Sequence, residues 1–292
     1  MQKFIKILKD INELIMFKHS IFSLPFIFVS MIVSSAEINQ TVWFGWKLLF
    51  FGLIAAISAR NFAMAFNRFV DRDIDKLNPR TASRPSVDGR VEEKNLLIFI
   101  AINAFIFIVT AYFINNLAFW LSFPILLILG GYSMFKRFSS YAHLVLGLSL
   151  GLAPIAGVVA VSESITLWSI LLSLGVVFWV AGFDLLYSLQ DMEFDKSKGL
   201  FSIPSLYGKD ATFFISKLFH FLAVLFWLLF CMAANLEYVA YLGIFLSGLI
   251  LIQEQRIVSK DFSKIDRAFF TLNGYLGIML FIVILIDRVV YG

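Results

Sequence analysis

Only 15% of the 292 residues are charged, and the chain holds one cysteine, three histidines and six prolines. The lone Cys231 sits in an apolar run, which excludes a disulfide framework and a cysteine-based metal site. With 60% hydrophobic residues and a mean hydropathy of +0.86, there is too little polar surface to cover a soluble globule. Strict apolar–polar alternation is also missing, which excludes barrel strands of about 9–11 residues. The first apolar run reaches Ser34 without a small-residue cleavage site of the usual kind, so it reads as a retained helix rather than a removed signal peptide. The net charge of +4 matters through its distribution along the chain, and no nucleic-acid partner is expected.

What the chain does have is repeated apolar runs of about 20 residues joined by short polar segments, the pattern of a polytopic helical membrane protein. The expected fold is all-α. One domain over 1–292 is expected to carry nine transmembrane helices, at about 15–35, 43–66, 94–114, 117–135, 142–161, 165–189, 211–233, 236–253 and 268–287. Nearly all Lys and Arg fall in the N-terminus and in segments 71–93, 136–141, 190–210 and 254–267. Segments 36–42, 115–116, 162–164 and 234–237 hold none. This alternation predicts a cytoplasmic N-terminus, cytoplasmic basic loops and an external C-terminus. The small residues of Gly147–Gly157 predict close helix approach, and Pro154 a kink. Spans one to four and five to eight are expected to form two related halves.

Two acidic stretches, not used in placing the spans, then fall on the same predicted side. In Asn67-Arg-Phe-Val-Asp71-Arg-Asp-Ile-Asp75, helical spacing stacks Asn67, Asp71 and Asp75 on one stripe about 12 Å long, with Asp73 turned roughly 200° from Asp71. Carboxylates so placed repel unless a cation or basic group neutralises them. The plainer reading is a solvated helix end with Arg68, Arg72 and Lys76 as ion-pair neighbours. The second stretch is Asp184, Tyr187, Asp191 and Asp195, spaced to share one helix face. Asp184 lies inside an apolar run, where an unpaired charge costs at least about 2.5 kcal/mol, so it should face a polar cavity or pair with an Arg or Lys of another helix. Oxygen ligands of this kind suit Mg²⁺, one ion per stripe, completed by substrate phosphates and water. Arg80, Arg84, Arg137 and Lys196 supply anion-binding groups at the same predicted mouth, with the positive-inside excess as the plainer account. His19 and Asn273 read first as interhelical hydrogen bonders and second as cavity lining. Together these features describe a site for a diphosphate carrying a long hydrocarbon tail, with both acidic stretches meeting over one cavity.

Asn67-x3-Asp71-x3-Asp75 and Asp184-x2-Tyr187-x3-Asp191-x3-Asp195 resemble the two signature motifs of the UbiA superfamily of intramembrane prenyltransferases. Leu77-Asn-Pro-Arg-Thr-Ala-Ser-Arg-Pro85, Lys18-His-Ser-Ile-Phe-Ser-Leu-Pro25 and Tyr132-Ser-Met-Phe-Lys-Arg137 are similar to its 4-hydroxybenzoate polyprenyltransferase branch. Arg68, where other branches carry a further Asp, fits that branch too. The resemblance implies a UbiA-type bundle around a central cavity, in the bacterial inner membrane. It implies that Asn67, Asp71 and Asp75 bind one Mg²⁺ and Asp191 and Asp195 a second, both holding the diphosphate. Asp184 and Tyr187 would line the pocket, and Arg68, Arg80, Arg84, Arg137, Lys196 and His19 would serve substrate binding. The implied reaction moves a polyprenyl group from its diphosphate to the ring of a hydroxyaryl acid of ubiquinone or menaquinone synthesis. A naphthoate-type acid or haem is the alternative acceptor. From other classes, a cation-coupled transporter would need acids nearer the midplane and broken helices there, and a non-catalytic scaffold gives no reason for two matched stripes.

Overall fold

The computed structural model describes residues 2–15, 22–261, 265 and 268–292, with side chains from Lys9 onward except those of 268 and 269. Its regular elements are helical: α1 Gln2–Ile15, α2 Leu24–Asn39, α3 Trp46–Val70, α4 Arg72–Leu77, α5 Glu93–Ile114, α6 Asn116–Gly131, α7 Ala142–Ser162, α8 Leu167–Ser188, α9 Met192–Lys198, α10 Ile203–Ala233, α11 Tyr238–Lys260 and α12 Asn273–Tyr291. Among the described residues, eight helical segments are long and apolar enough to cross a membrane. The shorter apolar α2 lies at the first expected span.

Local chemistry explains most boundaries. Asn115 Oδ1 accepts from the Ala118 N–H at 2.7 Å and starts α6. Thr166 with Ser169 and Ser202 with Ser205 close reciprocal caps on α8 and α10. Helix α10 opens at Ile203, with Pro204 in the first turn, where its missing N–H costs nothing. Gly208, at φ 78°, is non-helical and divides this short leading turn from the main helix, which then begins close to the expected start of the seventh span at about 211. The expected end of the eighth span at about 253 is corrected to Lys260. The polar run after it stays helical because Glu254 and Gln255 are buried against partners on other helices.

The chain divides into two compact units, 1–20 with 50–134 and 21–49 with 135–292. In the first, α1 lies ahead of the first expected span at about 15–35 and was not expected as an element. Its Leu14 and Ile15 are buried with Phe62, Met64, Ala65, Leu96 and Ile100. Arg90, beyond α4, reaches back to Glu13 at 2.6 and 2.8 Å and to Asp10 at 3.4 Å. The hydrogen bonds from Arg90 hold the Glu13 carboxyl below its usual range.

In the second unit α8 is central, packed against α7 and α10, with Trp179, Val180, Ala181 and Leu185 fully buried. Helix α2, at the first expected span, lies against α7 and α12. Asn273 plays the expected interhelical role: its Oδ1 accepts from Trp179 Nε1 at 2.7 Å and its Nδ2 donates to Glu254 at 2.9 Å. Helix α7 runs through Pro154 as one helix, and its glycines set close approaches. A Cβ at Gly157 would meet the Ile27 carbonyl and Ser30 Oγ of α2. Gly157→Ala is therefore expected to destabilise the protein by about 1–3 kcal/mol, the usual cost of overpacking, seen as a lower melting temperature in detergent. An unchanged melting temperature would refute that contact.

Candidate functional site

In the first unit, α3 delivers Asn67 in its last turn, and the helical ladder carries on across Asp71. The Asp71 N–H donates to the Asn67 carbonyl at 2.9 Å, and the Asp75 N–H to the Asp71 carbonyl at 2.7 Å. The stripe is thus kept through the short turn before α4. Asn67 Nδ2 donates to Asp71 Oδ2 at 2.9 Å. Asp71 and Asp75 are buried, whereas Asp73 is exposed, as the helical spacing predicts. Buried Arg68 donates to the Leu14 carbonyl at 3.4 Å and lies 4.0 Å from Asp75.

The segment after α4 folds back over these acids. Thr81 Oγ1 donates to the Asp75 carbonyl at 3.0 Å, and Arg84 Nη1 lies 2.7 and 2.6 Å from the two Asp75 oxygens. Arg80 is exposed on the same segment. Arg72, one of the neighbours in the plainer reading, pairs instead with Glu93 at 2.8 Å. Arg68, another of those neighbours, does lie 4.0 Å from Asp75, but both are buried, so the stripe is not a solvated helix end.

One residue escaped the sequence reading. Arg60 lies seven residues before Asn67 on α3, on the same face and about 10 Å further along the helix. It is partly buried, its Nε is enclosed, and it makes no hydrogen bond or ion pair among the described residues. Tyr132 is its electrostatic neighbour, and Arg68's as well. The available signal was the heptad spacing to Asn67 inside an apolar run.

In the second unit, the cytoplasmic-side prediction falls on the end of α8, a 3-10 turn Leu189–Asp191, and α9. Leu185, Leu186 and Leu189 are buried while Asp184, Tyr187, Asp191 and Asp195 are all partly open, so one face of the segment presents the four expected side chains. Among the described residues Asp184 pairs neither with Arg nor with Lys: His143 Nδ1, in the first turn of α7, lies 2.7 Å from its Oδ2. Nothing in the sequence spacing pointed to His143. Asp195 is hydrogen-bonded by the Ser202 side chain, with Asp191, Lys136 and His143 as electrostatic neighbours. Arg137 ends the 3-10 segment Tyr132–Arg137, and Lys196 is exposed on α9. His19 lies outside the described residues.

Among the described residues, no three His, Cys, Asp or Glu side chains converge as a closed metal cage. Each stripe offers two carboxylates; in the first, Asp75 is met by Arg84, and the Asn67 amide turns its Nδ2 to Asp71 while its Oδ1 accepts from Arg68 Nη1 at 3.5 Å. That oxygen-only, incomplete set fits Mg²⁺, which keeps positions for phosphate and water, and does not fit a soft metal.

Acids and arginines on helices of a polytopic bundle mark a membrane enzyme for anionic substrates rather than a passive span. The family model described as the UbiA prenyltransferase family matches residues 23–281. The 4-hydroxybenzoate octaprenyltransferase of Yersinia pseudotuberculosis serotype IB (strain PB1/+) is 29% identical over 249 residues, 82% of this chain and 83% of its own. The apo UbiA homolog from Aeropyrum pernix K1 is 34% identical with a TM-score of 0.81, covering 92% of this chain and 98% of its own. A UbiA homolog from Archaeoglobus fulgidus, bound to DMAPP and Mg²⁺, shares the fold at a TM-score of 0.69 and 19% identity over 94% of this chain and 99% of its own. The protein is an integral membrane prenyltransferase. It belongs to the UbiA prenyltransferase family, which sets aside the transporter and the scaffold.

Proposed function

We propose that the enzyme transfers a polyprenyl group from polyprenyl diphosphate to the ring of a 4-hydroxybenzoate-like acid in quinone biosynthesis, releasing diphosphate. It works in the bacterial inner membrane, with its N-terminus and basic loops in the cytoplasm and its C-terminus outside. The observation that carries the acid acceptor is Arg60: a guanidinium in a membrane span, its Nε enclosed and with no hydrogen bond or ion pair among the described residues, suits a substrate carboxylate. The curated relatives named for 4-hydroxybenzoate support the same reading.

Asn67, Asp71 and Asp75 would hold one Mg²⁺, and Asp191 and Asp195 a second. When bound, Mg²⁺ neutralises the charge that collects on the leaving diphosphate. Arg80, Arg84, Arg137 and Lys196 orient the diphosphate oxygens, guanidinium matching them in pairs. Tyr187 packs partly against Leu186, Leu189 and Phe213 and keeps water from the reacting carbon. As the allylic C–O bond breaks, its electron pair leaves with the diphosphate. The ring's π electrons then form the new C–C bond, and the same ring carbon gives up its proton to the departing diphosphate, which restores the aromatic ring.

The test is product mass spectrometry on membranes given a polyprenyl diphosphate, Mg²⁺ and a panel of hydroxyaryl acids, with naphthoate-type acids included. One acid should gain the mass of the prenyl group less one hydrogen, and EDTA should abolish the product. No product from any acid would overturn the reading.

A further inference from the structure

The helices that carry His143 and Asp184 meet almost backbone to backbone. A Cβ at Gly147, one turn after His143, would meet the Val177 carbonyl, two turns before Asp184, and Ser173 Oγ donates to the Gly151 carbonyl. The separation of α7 from α8 is therefore fixed where the pair forms, and the 2.7 Å contact is a property of the scaffold. The two side chains differ in access: His143 is 6% exposed and Asp184 is 20% exposed. A carboxylate can only accept, so the shared hydrogen sits on Nδ1 and the ring stands behind the acid. His143 Nε2 is enclosed and makes no hydrogen bond among the described residues, so it does not reach a reacting group itself. Asp184 Oδ1 takes none of the hydrogen bonds among the described residues, and it belongs to the more open of the two side chains. Exposure to lipid would be costly for a carboxylate, so this oxygen faces a polar space.

We propose that His143 is a positioning residue: it aims Asp184 so that its second oxygen accepts a hydrogen bond from the ring hydroxyl of the aromatic acceptor. This rests on the prenyl-transfer reading above. A hydroxyaryl ring becomes positive at its hydroxyl oxygen as it attacks the allylic carbon, so a carboxylate held there binds the transition state more strongly than the ground state. The pair thereby selects acceptors with a hydroxyl donor and acts on kcat more than on donor binding.

Asparagine and glutamine separate this from a packing role. An Asn amide nitrogen occupies the place of Nδ1 and still donates to Asp184, whereas a Gln amide nitrogen occupies the place of Nε2. His143→Gln and His143→Ala should lose kcat by about 10–100-fold, the scale seen when a partner orienting a reactive ligand is removed. The KM for polyprenyl diphosphate and the thermal protection by diphosphate with Mg²⁺ should hold. His143→Asn should recover much of the rate, and if the alanine variant does not accumulate, the Asn and Gln pair alone decides. Gln as fast as wild type, Asn as slow as Gln, or a loss confined to donor KM would overturn the assignment. A wild-type enzyme that prenylates no hydroxyaryl acid would instead bring down the reading beneath it.

Discussion

Asp71→Asn is expected to lower kcat/KM by at least about 10²-fold, beyond the 10–100-fold typical of residues that only support a metal ligand. The side chain keeps its volume and can still accept from Asn67 Nδ2, which lies 2.9 Å from Asp71 Oδ2. Folding should survive, because Asp71 contributes to the helix through its backbone. What is lost is one of two buried negative charges, and with it the attraction for a divalent cation. The variant should therefore need more Mg²⁺ for half-maximal rate, and diphosphate should protect it less against heat. Asp73→Asn is the matched control: two residues away in sequence, exposed and on another face, it should leave the rate as it is. A magnesium titration of both variants and the wild type settles the matter. Equal losses at positions 71 and 73 would show that general negative charge matters and the stripe does not.

The stripe was legible in advance because helical spacing is local. Four-residue steps from Asn67 survive a change from α3 to α4, since the ladder bonds at Asp71 and Asp75 bridge the turn. The same holds for Asp184 to Asp195, where a 3-10 turn interrupts the helix and the open face persists. Hydropathy located the apolar spans for an equally local reason. Contacts between distant segments were not legible. Glu254 and Gln255 read as loop because polarity marks a loop only when no partner is known, and theirs are Asn273, Ser216 and His220 on other helices. His143 has the same explanation: the sequence shows that Asp184 needs a partner without showing which residue the glycine-lined approach of α7 brings to it. Helix α1 was missed for another reason: its apolar and charged residues average to little hydropathy, and only their helical spacing marks it.

Arg60→Ala is expected to act on the acceptor alone. Removing one partner of an enclosed, hydrogen-bonded ion pair costs about 2–5 kcal/mol, which is roughly 30- to 4,000-fold in kcat/KM for the acid. The free enzyme should respond in the opposite sense from most charge deletions. Arg60 makes no ion pair or hydrogen bond among the described residues, so its loss orphans no protein group and relieves the burial of a charge in an apolar span. The melting temperature should hold or rise while acceptor use collapses, and the KM for polyprenyl diphosphate should stay put. A phenol lacking the carboxylate sharpens the test. Wild type should strongly prefer the acid, and the variant should use acid and phenol at similar low rates, because the group that told them apart is gone. Arg60→Lys should fall between, since an ammonium keeps the charge but not the paired geometry that a carboxylate matches. If Arg60→Ala destabilises the fold, or keeps the wild-type preference for the acid, the guanidinium is structural and the acceptor's carboxylate is read elsewhere.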